Sequence, residues 1–463
     1  MSLKLYNSSY KLGEICLQIT DGKHGDCENQ ENSGYYFVSV KDIDDGEINY
    51  SNARQITKFD FEDTDRRTKL ENEDILITNS GTIGKFVFVN SPLSKKTTFQ
   101  KSVAIIKPNK NKIIPKFLYY YLISEKRQLV EYAGGTTQKN LLLRDIRNFE
   151  VKIPDESRQK KIIMILNDID QLISVNKKLN KNLEELMHVL FKKYFIDNNP
   201  FYVENDENWN IIKLKDLIIR NRDKINDFDN WKDELLIDLS NMPRFSIAIS
   251  NFDKGKKFTS NIYKLNKYDL LFGSIRPYFG KVGFSPINGV VTGTVHSFKP
   301  IDDIYYSLVL SLISSKTFIN YTVSVSKGTK MPSVKWDDFI NYEFAIPDDL
   351  SKIGEYNKIL LPLIHKIEKN ILEIQRLTKL RDTLLPKLMS GEIDVSKINC
   401  DLKIIIRKIY IKSSKLFLWR YLSENQNYIK NTKSNETLLK SRTIHKINKF
   451  LAKFNARYRY YRQ

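Results

Sequence analysis

GTTQKNLLLRDIRNFEVKIP at residues 135–154 and GTKMPSVKWDDFINYEFAIP at residues 328–347 agree at one constant offset of 193. Gly135-Thr136, Leu141, Asp145, Asn148, Glu150 and Ile153-Pro154 are matched by Gly328-Thr329, Val334, Asp338, Asn341, Glu343 and Ile346-Pro347. A shorter echo lies upstream, where Leu70-Glu71-Asn72-Glu73-Asp74-Ile75-Leu76 is answered by Leu265-Asn266-Lys267-Tyr268-Asp269-Leu270-Leu271. Matches in the same order at nearly one spacing mark an internal duplication, and a duplication decides the fold before any local propensity does.

Working outward, each copy has the same internal order. Short apolar runs broken by Gly, Asn, Asp and Pro come first and read as strands: 35–40, 75–78, 86–89 and 103–106, then 235–239, 270–274 and 295–298. One helical pattern follows Pro115 and another covers 305–313. These mixed segments predict compact α+β heads.

After each Ile-Pro a long helix is expected. Ile169, Leu172, Asn176, Leu179, Leu183, Leu186 and Leu190 step by three and four, the spacing of a coiled-coil seam. Ile364, Ile367, Ile371, Ile374, Leu377, Leu384 and Leu388 form the second stripe, and Pro362 predicts a kink or a late start there. Pro154-Asp155-Glu156 and Pro347-Asp348-Asp349 read as helix starts, with acids on the positive end of the dipole. A helix of roughly 35 residues is about 50 Å long and must find a partner, most simply the other long helix run antiparallel. The expected class is therefore α+β, with two mixed α/β heads, two paired long helices and a pseudo-twofold. The expected boundaries are 1–154, 155–198, 199–347, 348–396 and a basic tail at 397–463. Asn176 is either a register device in the seam or a solvated Asn.

Composition narrows the function. The chain has 463 residues with a net charge of +20, but residues 401–463 carry +13 of it, so the body is only mildly basic. Cys16, Cys27 and Cys400 make neither a zinc ribbon nor a disulfide framework, which fits a reducing, cytoplasmic setting. The first residues lack a signal-peptide core, and no apolar run reaches the roughly 18 residues of a membrane span, so no membrane role is expected.

The order of head, helix, head, helix resembles the specificity subunit of type I restriction-modification systems. The matching strings are Thr20-Asp21-Gly22-Lys23-His24, Ser80-Gly81-Thr82-Ile83-Gly84 and Gly135-Thr136-Thr137-Gln138. Leu190-Phe191-Lys192-Lys193-Tyr194-Phe195 closes the first helix, and Leu384-Leu385-Pro386-Lys387-Leu388-Met389-Ser390-Gly391-Glu392-Ile393 closes the second. The resemblance covers roughly residues 10–396 and implies two target-recognition domains reading the halves of a bipartite, gapped DNA target, with the helices setting the gap. It also implies that the chain catalyses nothing and holds no cofactor. Two methyltransferase subunits using S-adenosylmethionine, and restriction-translocation subunits using ATP and magnesium, would do the chemistry. The second copy departs from the pattern at Arg220-Asn221-Arg222-Asp223 and at Gly273-Ser274-Ile275-Arg276-Pro277-Tyr278, as two different half-sites require.

Reading DNA needs cations for phosphates and planar donors for base edges. In the first head the candidates are Lys23, His24, Ser80, Thr82, Lys85, Lys101, Thr137, Gln138, Lys139 and Asn140. In the second they are Arg220, Arg222, Arg276, Tyr278, Lys281, Lys327 and Lys330. Other chemistry fails on spacing. Gly81-Thr82-Ile83-Gly84-Lys85 is too short for a phosphate loop and is followed by Phe86. Asn199-Pro200-Phe201 and Asn241-Met242-Pro243-Arg244-Phe245 lack the paired prolines expected of an adenine methyltransferase, which disfavours a fused methyltransferase-specificity enzyme and leaves a turn. A pure coiled-coil scaffold would leave two diverged heads without a purpose. The five histidines are too scattered for a metal cluster. The tail, with Trp419 and Arg457-Tyr458-Arg459-Tyr460-Tyr461-Arg462, has a composition suited to nucleic acid but reads as an appended extension.

Overall fold

The computed structural model describes residues 8–44, 46–51, 53–134, 140–197, 209–227, 231–257 and 261–396. By contacts the chain divides after Ile398, and all described elements belong to the first unit. Each copy of the repeat opens and closes on the same device. Ser8–Lys11 pairs antiparallel with Glu150–Ile153, and Trp209–Lys213 with Glu343–Pro347, so the Ile-Pro echo ends the strand that leads into each long helix.

Between these strands the first head builds a four-stranded antiparallel sheet in the order Cys16–Asp21, Val103–Pro108, Ile75–Thr78, Phe86–Phe88. The second head has the same order in Ile218–Arg220, Val295–Pro300, Leu270–Gly273, Val282–Phe284. A second sheet in each head contains a parallel pair, Tyr36–Val38 with Thr97–Phe99 and Leu235–Ile237 with Gly289–Thr292. The central strands are continuously apolar because both of their faces are covered. Ile75, Ile77, Ala104 and Ile106 share one core with Leu118 and Tyr120 of the helix Pro115–Ser124, while Leu76, Val103 and Ile105 pack with Val38, Val87 and Phe99. In the second head rings fill the equivalent layer: Phe272, Phe298 and Phe318 surround Phe339 at centroid distances of 5.0–5.4 Å.

The long helices are Glu156–Phe191 and Leu350–Ser390. Asp155 caps the first by accepting from the Arg158 N–H, Asp349 caps the second by accepting from Ser351, and Gly391 closes it at φ +77°. Pro362 does not delay the second helix as expected. It lies exposed inside it, while Ile353, Tyr356, Leu360 and Leu363 are buried and hold the turns on either side. The contacts between the helices, and with the segment just after the second, run in opposite sequence order. Arg158 meets Asp394 at 3.6 Å, Asp170 meets Arg381 at 3.2 Å, and Asn370 Nδ2 donates to Asn180 Oδ1 at 2.7 Å. Ile169 and Ile173 pack with Ile374 and Leu377.

Each head grips one end of this pair. Ile162 and Leu166 of the first helix and Leu385, Leu388 and Met389 of the second enter the core of the first head, where Tyr120 Oη donates to Asp170 at 2.7 Å. At the other end Tyr194 and Phe195 pack around Tyr356 at 5.4 and 4.9 Å, and Asn357 Oδ1 accepts from Ser307 Oγ of the second head at 2.6 Å. Among the described residues no helix is long and apolar enough to cross a membrane.

Candidate nucleic-acid interface

Antiparallel pairing brings the sequence-predicted segments to one edge of each four-stranded sheet. Cys16–Asp21 and Ile75–Thr78 end where Val103–Pro108 begins, with Asp21 opposite Ala104 and Thr78 opposite Val103. The loops beyond them are stitched together by backbone bonds. The Lys101 N–H donates to the Lys23 carbonyl at 3.0 Å, the Asn79 N–H to Ser102 at 3.0 Å, and the Leu141 N–H to Asn79 at 2.8 Å. Ser80 and Asn140 form a bridge. Thr137, Gln138 and Lys139 lie outside the described residues.

The second head repeats this stitching. The Ser274 N–H donates to Thr294 at 3.0 Å and the Val334 N–H to Ser274 at 3.0 Å, while Ile275 bridges Ser333 and Lys327 bridges Ser333. The Arg276 N–H donates to Pro332 at 2.7 Å, and Arg276 sits at φ +50°. Lys327 and Lys330 are exposed on the loop so formed, and Tyr278 is 44% exposed at the tip of the turn Pro277–Phe279.

Side chains differ where the backbone does not. In the first head each candidate with a long side chain on the Thr20–His24 string is tied to an acid. Lys23 Nζ lies 2.9 Å from Asp60 and 3.5 Å from Asp63, and the hydrogen bond to Asp60 raises its pKa. His24 Nε2 lies 3.1 Å from Asp21, which also accepts from Arg67 at 2.6 Å. Gly22 is required where it stands, because a Cβ there would fall 1.9 Å from the Phe99 carbonyl oxygen. Thr78 Oγ1 organises the next loop by donating to the Thr82 carbonyl at 2.6 Å and accepting from the Lys85 N–H at 2.9 Å, which leaves Thr82 exposed. Lys101 and Asn140 are exposed as well.

In the second head three guanidinium groups lie on rings, while Lys327 faces Asp338 at 4.0 Å. Arg220 is 4.6 Å above Trp336, Arg222 is 5.3 Å from the Tyr263 centroid, and Arg244 is 3.9 Å above Phe279. A guanidinium over an aromatic face gains from the ring quadrupole without cancelling its charge, and Arg222 also donates to Tyr263 Oη at 3.3 Å. Burial lowers the pKa of Arg220. Sequence reasoning missed Trp336, Tyr263 and Arg244, since their partners are distant in the chain or sit in what reads as a plain turn.

Lys85 and Lys281, also sequence candidates, are engaged within their own heads. Each is partly buried and donates to a carbonyl of its own head, Lys85 to Ile43 at 2.7 Å and Lys281 to Leu239. The equivalent bond in both copies makes these lysines supports for the loop they follow. The helix-pairing residues also sort themselves. Asn176, Leu179, Leu183, Leu190, Ile364, Ile367, Ile371, Ile374 and Leu377 are buried, whereas Leu172 and Leu186 are half-buried beside the buried Ile173 and Met187.

Known proteins share this plan. The family described as type I restriction modification DNA specificity domain matches residues 7–185. The type I restriction enzyme MjaIX specificity subunit of Methanocaldococcus jannaschii is 27% identical over 352 residues, spanning 70% of this chain and 78% of that protein. The MjaVIII specificity subunit of the same organism is 23% identical over 84% of this chain and 93% of its own length. The crystal structure of the type I restriction-modification S subunit from M. genitalium superposes with a TM-score of 0.50 at 16% identity, covering 84% of this chain and 97% of that one, a likeness of fold. With its duplicated heads and paired loop edges, this chain is similar over residues 7–185 to the DNA specificity domain of type I restriction-modification systems, and in fold to an S subunit of such a system.

Proposed function

We propose that this chain reads a bipartite, gapped DNA target, one half-site per head, and directs partner subunits to methylate adenine within it or to cleave DNA that lacks the mark. The reading is carried by one observation: two sheet edges share their backbone stitching and differ in the side chains they present. Equal frames with unequal surfaces suit two half-sites of different sequence. The first surface comprises Lys23, His24, Ser80, Thr82, Lys101 and Asn140, with Thr137, Gln138 and Lys139 from the undescribed part of the loop. The second comprises Arg220, Arg222, Arg276, Tyr278, Lys327 and Lys330.

The chain itself is non-catalytic. Two methyltransferase subunits would bring S-adenosylmethionine, and restriction-translocation subunits would bring ATP and magnesium, all in the cytoplasm. Residues 1–154 and 199–347 act as the two target-recognition domains. The helices at 155–198 and 348–396 act as an antiparallel coiled coil, related by a pseudo-twofold, that holds the half-sites a set number of base pairs apart. The opposite order of the Arg158–Asp394, Asp170–Arg381 and Asn180–Asn370 contacts supports that role. Residues 397–463 are an extension that does not choose the target, so a chain ending near residue 396 keeps its sequence preference.

A single-molecule map of modified adenines tests the proposal, in cells carrying this chain with its neighbouring methyltransferase and in cells lacking only this chain. A gapped motif that vanishes with the chain is expected; an unchanged map would refute it.

A further inference from the structure

The segment Pro243-Arg244-Phe245 reads in the sequence only as a turn, yet the structure invests in it. Phe245 is 62% exposed and its φ is +51°. A bulky residue in that region is a backbone outlier and persists only where its surroundings hold it. Two elements do so. The Phe245 N–H donates to the Gly280 carbonyl at 3.0 Å, and the ring covers Gly280 so closely that a Cβ there would lie 2.6 Å from it. Beyond Phe245, Ser246 Oγ and the Ile247 N–H donate to Glu184 of the first long helix at 2.9 and 3.3 Å.

The comparison with Tyr268 is informative, since it is the other described aromatic residue with positive φ. Its strain has a local return, because its hydroxyl donates to Glu368 and its ring stacks on Phe284. The Phe245 ring touches Gly280 along one edge, and the residue stays 62% exposed. Its neighbours are Arg244, seated 3.9 Å above Phe279, and the turn that carries Arg276 and the exposed Tyr278. Cations around a protruding ring suit a polyanion with an apolar interior better than the apolar face of another protein.

We propose that Phe245 is a wedge that enters the base stack of the half-site read by the second head, while Arg244 and Tyr278 grip the adjoining backbone. An apolar side chain inserted between base pairs unstacks them and bends the duplex, and the bent duplex meets more of the protein surface. This rests on the reading that the second head contacts DNA. Glu184 serves as a positioning residue, linking the spacer helix to the loop that carries the wedge.

The test uses the full chain assembled with its methyltransferase partner and duplexes carrying 2-aminopurine at each position of that half-site except the methylated adenine. At saturating complex, the wild type should show a fluorescence rise at one base step. F245A should abolish the rise and weaken target affinity roughly tenfold, while F245L, still apolar, keeps part of both. Unaltered thermal unfolding of F245A, expected of an exposed side chain, separates loss of the wedge from loss of the fold. A rise that survives in F245A would overturn the wedge and leave target reading intact. Absence of target-selective binding by the wild type would overturn both.

Discussion

The two heads share a sheet order and a backbone stitching, and they present cations in opposite ways. The first head ties Lys23 to Asp60 and Asp63 and His24 to Asp21, whereas the second lays Arg220, Arg222 and Arg244 on Trp336, Tyr263 and Phe279. An acid-paired cation must exchange partners to meet phosphate, so little free energy separates its two states. A ring-seated guanidinium keeps its charge uncancelled, although Arg222 spends one donor on the Tyr263 hydroxyl at 3.3 Å. A duplicated frame thus fixes where the loop cations stand, and the local company of each decides how available its charge is.

The largest effect should come from the cores, which differ in kind. Phe339 in the second head replaces the fully buried Ile146 of the first at the repeat offset, and it touches Phe272, Phe298 and Phe318. F339A should cost about 3–5 kcal/mol in urea unfolding, and I146V about 0.5–1.5 kcal/mol. Equal losses would erase this part of the comparison.

Next comes the helix pair that both heads grip. N370L strands a buried Asn180 and should cost about 1–3 kcal/mol. N180L/N370L should recover most of it, because an all-apolar seam leaves no polar group unpaired. A double mutant no more stable than N370L would show that the Asn–Asn bond is not coupled across the helices.

A smaller effect is expected in binding to the mapped target. R222A should weaken binding and flatten the slope of log affinity against log salt by about one. D60N, which frees Lys23 from its closest acid, should steepen the slope instead. A shift in the same direction for both variants would contradict the contrast between ring-seated and acid-paired cations.

The smallest effect concerns pH. His296 sits opposite Phe272 in the second head where Ala104 sits opposite Ile77 in the first, and burial lowers its pKa from 6.5 to about 4. The unfolded chain therefore binds a proton before the folded chain does. The contribution of neutral His296 to stability is complete above pH 6.5 and is lost as the pH falls toward about 4. H296A should remove that portion of the acid dependence, read from denaturant unfolding at a series of pH values, and an unchanged acid limb would show that other groups govern it.

Much of the fold is legible because apolar periodicity and turn residues are local. The runs 75–78 and 103–106, the helix after Pro115 and both long helices all lie where their patterns place them. The seam shows where such reading stops. Leu172 and Ile173, Leu179 and Asn180, and Leu186 and Met187 are adjacent pairs, and spacing in one dimension does not choose which member turns to the partner. Rotation of the helix against its neighbour makes that choice, burying Ile173 and Met187 and bonding Asn180 to Asn370. The loop edge of each head behaves likewise. Residue types nominate Lys85 and Lys281, but their ammonium groups are taken up by carbonyls 42 positions earlier, a distance at which sequence carries no geometric signal.

By itself the sequence determined the duplication, the class of each element and the charge of the loops, because these follow from identity, period and composition along the chain. Tertiary structure alone decided which cations meet acids and which meet rings. Arg220 and Trp336 belong to different elements, and only the closing of the head brings a guanidinium to within 4.6 Å of that indole. The same closure puts Phe245 over Gly280, since a backbone held at positive φ needs neighbours to hold it, and the chain cannot name those neighbours in advance.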